Sequence, residues 1–320
     1  FDLSTVTAQL SNLADSVAQA CLEVASEQTG IPSRGFVVLA MGKLGGGELN
    51  YSSDIDLLYL AAANPTEYTR LGERLIKALT ERTAEGFFYR VDMRLRPWGS
   101  VGALVSSVEG YLRYLRRNAR LWEKQALLKA RPIAGDLALG DAFLQRVAPL
   151  IYGQDDPEHT AIAVRVAAVR DAVYAMIQRT DAHLAQQGRG WGEVKLGQGS
   201  IRDVEFVVQY LQLAHGAEAP GIRGRHTLEA LPRLVTAGHL KPSEARVLQE
   251  GYVFFRGIEH YLQMMHYRQT HTLPQDEPAL QHLARRLGYT GDPEDARQQF
   301  LARYEQHRQA VRAVYLKHLE

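Results

Sequence analysis

The fold of this chain is decided between residues 35 and 60, which read GFVVLAMGKLGGGELNYSSDIDLLYL. Two short apolar runs, 36–41 and 54–60, are rich in aliphatic and β-branched residues, and a glycine-rich segment separates them. Apolar runs of this length next to glycines are typical of buried strands. We therefore predict two strands joined by a turn over Gly42–Gly47.

Outward from this stretch, the chain predicts a compact α+β unit. A helix over 66–82, a third strand over 87–95 and a short edge strand at 103–105 follow the first two strands. An amphipathic helix over 3–28 precedes them. Its apolar face is expected to carry Val6, Leu10, Leu13, Val17, Cys21 and Val24. The order strand, strand, helix, strand within ~70 residues favours a single sheet.

The second part of the chain is expected to be all-α. Beyond residue 107 the apolar residues recur with helical period, and no alternating strand pattern is visible. Glycines and prolines divide this part into segments of helix length, which is typical of a helical bundle. We place a first domain at 1–120 and a helical bundle domain at 121–320. A length of 320 residues agrees with two domains.

The composition excludes several classes of protein. The 37 Lys and Arg residues nearly balance 36 Asp and Glu residues, so we expect no nucleic-acid partner, which usually requires a basic excess. The apolar runs are too short to cross a bilayer and no signal peptide is visible, so we expect no membrane partner and a cytoplasmic location. The single cysteine, Cys21, suits a reducing compartment. A start without Met indicates a fragment of a longer chain.

Three aspartates are candidate catalytic residues and metal ligands. Asp54 and Asp56 alternate with apolar residues, so both side chains project to one face of a strand. Asp92 lies in the third predicted strand, and all three carboxylates converge if that strand neighbours the second. Carboxylates held so close repel each other unless a cation compensates, and Mg²⁺ or Mn²⁺ is the expected cofactor. This arrangement suits a two-metal phosphoryl displacement, although an Asp-x-Asp pair alone is more often a solvated strand end.

The glycine-rich turn and nearby cations are candidate contacts for nucleotide phosphates. Gly45 and Gly46 would let the backbone approach a polyphosphate closely, with Lys43 and Ser53 in reach. Arg94, in the third predicted strand, is a further candidate. Most glycine-rich turns are only tight turns, and most such cations are ordinary surface residues. The prediction therefore depends on the glycine turn and the aspartates occurring together.

At this point the residues carry a family resemblance. Residues 42–57, GKLGGGELNYSSDIDL, resemble the signature of glutamine synthetase adenylyltransferase/adenylyl-removing enzymes, which belong to the polymerase-β-like nucleotidyltransferase superfamily. Further segments that resemble this family are 91–97 (VDMRLRP), 122–131 (WEKQALLKAR), 195–206 (KLGQGSIRDVEF) and 269–274 (QTHTLP). Ser200 departs from the family pattern, in which glycine is usual. The resemblance extends from about residue 36 to residue 275.

The resemblance implies a nucleotidyltransferase mixed sheet with flanking helices, followed by a helical bundle. The enzymes of this family resemble two tandem copies of such a unit, which add AMP to a tyrosine of glutamine synthetase or remove it. Residues 50–56, 92–94, 201–203 and 269–274 are more similar to the amino-terminal, adenylyl-removing copy. The implied reaction is phosphorolysis of adenylyl-tyrosine to ADP, as part of nitrogen regulation.

The resemblance also implies partners and roles. Glutamine synthetase is the implied protein substrate, phosphate and ATP or ADP are the implied small molecules, and the PII signalling protein is a further candidate partner. Asp54, Asp56 and Asp92 are implied to hold the metal. Two alternatives stay open: adenylylation with release of pyrophosphate, and a non-catalytic module that binds nucleotide or PII.

A basic stripe is the last feature of the sequence. Arg113, Arg116, Arg117 and Arg120 recur at helical spacing. A solvated helix face is the default interpretation. Docking of an acidic patch on the protein substrate is the alternative.

Overall fold

The computed structural model describes residues 2–154, 162–188, 190–266 and 270–320, and the chain forms two compact units. The first unit comprises Phe1–Thr160 with Arg223–His226, and the second comprises Ala161–Ile222 with Thr227–Glu320. The division thus falls later than residue 120. It does so because the sheet of the first unit takes one of its strands from Arg131–Gly135.

The sheet of the first unit is mixed. Its strands are β1 (Phe36–Met41), β2 (Ile55–Ala61), β3 (Val91–Asp92), β4 (Val105–Ser107) and β5 (Arg131–Gly135). The order is β3-β2-β1-β5, and β4 also pairs with β2. β1 is antiparallel to β2 and β5, whereas β3 and β4 run parallel to β2. This sheet, followed by a helical region, confirms the predicted α+β fold.

The centre of the sheet is apolar on both faces. Every residue of β1 is buried, and so is every residue of β2 except Asp56, which is partly exposed. One face packs against α1 (Leu3–Thr29) and α3 (Thr69–Thr80). The other face packs against α6 (Leu137–Ile151), whose Gly140 allows close approach to the sheet. The remaining helices of this unit are α2 (Gly42–Gly45), α4 (Val108–Arg117) and α5 (Leu121–Leu127), with 3₁₀ turns at Pro65–Tyr68 and Gly99–Val101.

Helix α1 has the predicted length, and its buried face overlaps only in part with the predicted one. Leu13 and Val24, which the periodicity placed in the core, are 56% and 44% exposed. The buried face consists mainly of small residues: Leu3, Thr7, Ser11, Ala14, Ala18, Cys21, Leu22 and Ala25. Cys21 is buried and Leu10 and Val17 pack against the core, as predicted, whereas the prediction is wrong for Leu13 and Val24. The buried face is shifted because α1 packs closely on α3 and β5, where small side chains let the backbones approach.

Two strands differ from the sequence prediction. The strand expected over 87–95 is reduced to Val91–Asp92, and Phe88 before it is 61% exposed, so apolar character there does not reflect burial in a sheet. Strand β5 lies in the region where no strand was expected. It contains Pro132, which a sheet tolerates at an edge, and β5 is the end strand of the described sheet. The short edge strand predicted at 103–105 is found at Val105–Ser107.

In its described residues, the second unit consists of helices and connecting loops, and its β-structure is limited to an isolated bridge between Glu193 and Thr272. Its helices are α7 (Ile162–Gln186), α8 (Ile201–His215), α9 (Thr227–Thr236), α10 (Pro242–His266), α11 (Glu277–Arg286) and α12 (Pro293–Leu319), with a 3₁₀ turn at Pro220–Ile222. In the described parts of the chain, no helix is long and apolar enough to cross a membrane. Gln269, which opens the last of the family-like segments, lies outside the described residues.

A buried ion network joins three helices of the second unit. Arg202, at the start of α8, is 4% exposed and pairs through Nη2 with Asp181 of α7 at 2.6 Å and with Asp203 at 3.1 Å. Asp203 is fully buried and accepts hydrogen bonds from the backbone N–H of Gly199 at 2.7 Å and from Arg312 of α12 at 3.0 Å. Since buried charges must be paired, the family-like segment 195–206 has a structural role in holding these helices together.

The environment of a second carboxylate, Glu244, allows a prediction of how the stability of the second unit depends on pH. Glu244 is 8% exposed and accepts hydrogen bonds from Lys317 and from the backbone N–H of Lys241, and Nε2 of His318 lies 3.2 Å away. Burial raises the pKa of Glu244, but these contacts outweigh it and lower the pKa to about 2. The ionised carboxylate therefore stabilises the fold above the ordinary pKa of 4.5, and this contribution is lost as the pH falls from 4.5 towards 2.

We expect Glu244→Gln to lower the free energy of unfolding by ~1–2 kcal/mol at neutral pH, because solvent screens part of the interaction. The difference between variant and wild type should shrink as the pH falls through that window. Urea unfolding in a series of buffers measures both effects. Glu229→Gln, at an exposed position on α9, is the control and should change little. A difference that stays constant with pH would contradict the assignment.

Candidate active site

The three predicted aspartates lie at one end of β2 and β3. The parallel register places Asp56 opposite Asp92 and Ile55 opposite Val91. Paired residues of neighbouring strands project to the same face, so the carboxylates of Asp56 and Asp92 lie side by side. Asp54 immediately precedes β2, two residues before Asp56. The structure therefore brings Asp92 next to the Asp-x-Asp pair, as the sequence predicts.

The turn after β1 is shaped around the carboxylate of Asp56. Met41, the last residue of β1, pairs with Asp56, and the chain then enters α2 at Gly42. Gly42 has a φ of +54°, which favours glycine, and a Cβ at this position would overlap Oδ2 of Asp56. A side chain at residue 42 is therefore excluded by both the backbone conformation and the carboxylate.

Two arginines engage the other carboxylates. Arg94 donates to Oδ1 of Asp92 from its backbone N–H at 2.8 Å, and from Nε to both carboxylate oxygens at 3.0 and 2.8 Å. Arg90 donates from Nε to Asp54 and from Nη2 to the carbonyl oxygen of Ser52. Each of these carboxylates thus has a cation beside it.

The electrostatics of Arg94 show how closely the carboxylates cluster. The hydrogen bond from Arg94 outweighs burial and lowers the pKa of Asp92. The same hydrogen bond raises the pKa of Arg94, and the charges of Asp56 and Asp54 raise it further. The guanidinium of Arg94 therefore lies within the field of all three aspartates.

The metal-binding prediction rests on the donors and not on a formed coordination shell. Among the described residues, no group of three or more His, Cys, Asp or Glu side chains is arranged to hold a metal ion. The side-chain contacts give the physical reason, since Asp54 and Asp92 face Arg90 and Arg94. The role of the three aspartates as metal ligands stays a prediction.

The residues predicted to contact phosphate lie around the same turn. Lys43 in α2 and Ser53 before β2 are partly buried, whereas Gly45 and Gly46 are buried. A Cβ on Gly45 would overlap the carbonyl oxygen of Lys129 and lie 2.6 Å from that of Ala40, and one on Gly46 would lie 2.9 Å from Oε2 of Glu48. Close packing within the protein is a sufficient reason for glycine at both positions. Phosphate binding by these residues and by Arg94 stays a prediction.

A buried ion pair beneath this turn was missed by the sequence analysis. Nζ of Lys129 lies 2.7 Å from Oε2 of Glu48, and the two side chains are 9% and 2% exposed. Nδ1 of His226 lies 3.7 Å from the other oxygen of Glu48. The pair ties the segment after α2 to the segment before β5, and so supports the turn that carries Gly42. The available signal was that both residues lie in family-like segments, 42–57 and 122–131.

Both units of the chain are similar to known protein families. Residues 1–146 match the family model described as "Glutamate-ammonia ligase adenylyltransferase", and residues 169–319 match the model described as "GlnD PII-uridylyltransferase". The bifunctional glutamine synthetase adenylyltransferase/adenylyl-removing enzyme of Xanthomonas campestris pv. campestris (strain B100) is 42% identical over 264 residues, which are 79% of this chain and 27% of that protein. The chain belongs to the family of glutamine synthetase adenylyltransferase/adenylyl-removing enzymes.

Other members of the adenylyltransferase/adenylyl-removing family are similarly related. The enzyme of the same name from Stenotrophomonas maltophilia (strain K279a) is 41% identical over 83% of this chain and 29% of its own length. The enzyme of Streptomyces avermitilis is 38% identical over 91% of this chain and 29% of its own length. The chain therefore spans less than a third of these relatives. Their name joins two opposing activities, and the similarity by itself does not assign one of them to this part of the chain.

Proposed function

We propose that this chain removes AMP from adenylylated glutamine synthetase by metal-dependent phosphorolysis, with ADP as product. The observation that carries the proposal is the in-register pair of Asp56 and Asp92, with Asp54 beside it, at the turn that follows β1. Relatives whose name describes both the addition and the removal of the adenylyl group support this reaction class. The family-like segments 50–56, 92–94 and 201–203 support the removing direction.

The donor set fits a hard divalent cation such as Mg²⁺ or Mn²⁺. Asp54, Asp56 and Asp92 offer carboxylate oxygens from one end of two paired strands, which is the ligand type that such ions prefer. The side chains of Arg90 and Arg94 are 42% and 79% exposed, so both can turn away from the carboxylates without disturbing the core. A bound divalent ion would supply charge stabilisation for the phosphoryl oxygens and the departing phenolate.

The chemistry is an in-line displacement at phosphorus. An oxygen of inorganic phosphate forms a bond to the adenylyl phosphorus, and the bond from that phosphorus to the tyrosine oxygen breaks. The products are ADP and a tyrosine phenolate, which takes up a proton from water. Arg94, once released from Asp92, and Lys43 would hold the attacking phosphate. Because the carboxylates stand on paired strands, positioning and electrostatic stabilisation would contribute most of the rate.

The test of the proposal is the identity of the product. The chain is incubated with adenylylated glutamine synthetase, Mg²⁺ and radiolabelled phosphate, and we expect ADP labelled at its β-phosphate. In a second reaction, unmodified glutamine synthetase and ATP replace the adenylylated protein and phosphate. Pyrophosphate from that reaction, without ADP in the first, would assign the opposite direction. If neither ADP nor pyrophosphate is formed, the result would favour the non-catalytic module.

Two further parts of the proposal concern location and regulation. The match of residues 169–319 to the PII-uridylyltransferase model leads us to propose that the second unit contacts the PII protein. A cytoplasmic location is proposed from the single, unpaired Cys21. Binding of the intact chain to surface-immobilised PII tests the proposed PII contact directly, and the absence of a binding signal would contradict it.

A further inference from the structure

The loop over residues 93–102, which follows β3, is held together by hydrogen bonds from one of its own side chains. Arg96 donates hydrogen bonds to the carbonyl oxygens of Met93 at 2.8 Å, Ser100 at 2.9 Å and Gly102 at 3.1 Å. A Cβ on Gly102 would overlap the backbone of the opposite side of the loop. Three hydrogen bonds from one guanidinium therefore hold the loop in a fixed conformation, so Arg96 is a positioning residue for what the loop presents.

The loop presents two large apolar side chains to solvent. Trp98 is 60% exposed and Val101 is 90% exposed. Trp98 has a φ of +64°, in the left-handed region that bulky side chains rarely adopt. Its ring packs edge-on against Tyr114 of α4, with 5.0 Å between ring centroids. Backbone strain that keeps an aromatic ring at the surface is typical of binding sites, and an anchored, exposed Trp is a common energetic centre of a protein interface.

Helix α4 adds a concentrated positive charge beside this ring. Residues 93–120 contain six arginines and a single acidic residue, Glu109, although the whole chain carries a net charge of only +1. Glu109 is paired with Arg146. Arg117 lies one helical turn after Tyr114, the residue on which the Trp98 ring packs. The exposed surface, here called the docking face, consists of Arg94, Trp98, Val101, Arg113, Arg116, Arg117 and Arg120.

We infer that the docking face binds an acidic surface segment of the folded protein that carries the adenylyl-tyrosine. The inference rests on the proposed function and deepens it. Charge complementarity identifies the occupant, because arginines around an exposed aromatic anchor match carboxylates and apolar side chains on a protein surface. The face begins at Arg94, which is bonded to Asp92, so a protein held there has its modified tyrosine close to the carboxylates.

A pair of substrates separates docking from chemistry. One is adenylylated glutamine synthetase, and the other is a capped adenylyl-tyrosine, which has no protein surface. For the variant Arg113→Gln/Arg116→Gln/Arg117→Gln we expect the KM for the protein to rise at least about tenfold, with kcat unchanged and kcat/KM for the capped substrate within about twofold of wild type. The wild-type KM for the protein should also rise with ionic strength, and that of the variant should not.

Two controls exclude effects on folding and on total charge. Arg246→Gln/Arg286→Gln/Arg303→Gln removes the same charge from exposed positions of the second unit and should leave both substrates unaffected. Trp98→Asn removes the ring but keeps a residue that tolerates a positive φ, and should raise the KM for the protein without loss of thermal stability. Direct titration of fluorescently labelled, adenylylated glutamine synthetase measures docking without turnover.

Three results would overturn the inference. Unchanged affinity of the triple variant for glutamine synthetase would show that the face does not dock it. An equal loss with the capped substrate would show that these arginines act on the chemistry. Competition by a DNA duplex at physiological ionic strength, abolished in the triple variant, would identify a nucleic acid as the occupant. Failure of wild type to convert either substrate while still binding glutamine synthetase would contradict the proposed function and leave the docking face supported.

Discussion

Asp56→Asn should lower the kcat of phosphorolysis by about 10³-fold or more while the fold is retained. Asp56 lies at the centre of the site, since Met41 and Asp92 pair with it from either side and Gly42 leaves room for its carboxylate. Asparagine keeps the shape of the side chain and removes the charge that a divalent ion requires. Asp56 is also the partly exposed residue of β2, so the loss of charge should cost little stability.

The measurement is the rate of ADP formation, combined with Mn²⁺ binding followed by electron paramagnetic resonance. Both should fall in Asp56→Asn, and the thermal unfolding curve should be unchanged. Asp171→Asn is the matched control, because Asp171 is an exposed aspartate of the second unit. If Asp56→Asn forms ADP at the wild-type rate, the carboxylates do not hold the metal and the proposed mechanism is wrong.

Gly45→Ala should have the largest effect on stability, with a loss of about 3 kcal/mol or more, at the upper end of what overpacking costs. The added methyl group would overlap the carbonyl oxygen of Lys129 and approach that of Ala40 to 2.6 Å. Both oxygens belong to backbone held by the sheet or by the segment leading into it, so neither can move aside easily. For a unit of this size the unfolding temperature should fall by roughly 6–12 °C.

This substitution also separates two explanations of the glycine-rich turn. If Gly45 is required for packing, the loss of stability appears without any nucleotide, and calorimetry of the chain alone detects it. Gly257→Ala is the control, because Gly257 lies within α10 with open space around its Cα, and alanine there should stabilise by up to about 1 kcal/mol. Wild-type stability of Gly45→Ala with weaker ADP binding would instead support a phosphate contact at this glycine.

Local patterns predicted the central elements of the first unit correctly. The apolar runs at 36–41 and 54–60 gave β1 and β2 within a residue, because a central strand is apolar on both faces and the signal is continuous. The length of helix α1 was predicted correctly and its buried face only in part, since much of its packing uses alanine, serine and threonine. Strand β5 has five residues and contains a proline, so its place in the sheet depends on β1 and not on its own sequence.

In the candidate site, too, features set by local sequence could be predicted, whereas contacts between distant segments could not. The spacing of Asp54 and Asp56 predicts a shared face from strand geometry alone, although β2 begins at Ile55, and the residue order around them is sufficient to indicate the family. The partner of Asp54 is distant in sequence, since Arg90 lies 36 residues away, and in the buried ion pair Glu48 lies 81 residues from Lys129. No local pattern encodes such pairs, because they form only when separate segments pack together.

The sequence by itself determined the class of this protein: the α+β order of the elements, the Asp-x-Asp pair and the family to which the chain belongs. Only the tertiary structure decided that Asp92 stands beside Asp56, that Arg90 and Arg94 engage two of the carboxylates, and that Gly45 is fixed by backbone packing. The physical reason is the sequence separation over which each interaction acts. Backbone periodicity acts over a few residues, whereas strand register and ion pairing are set by burial of the whole sheet.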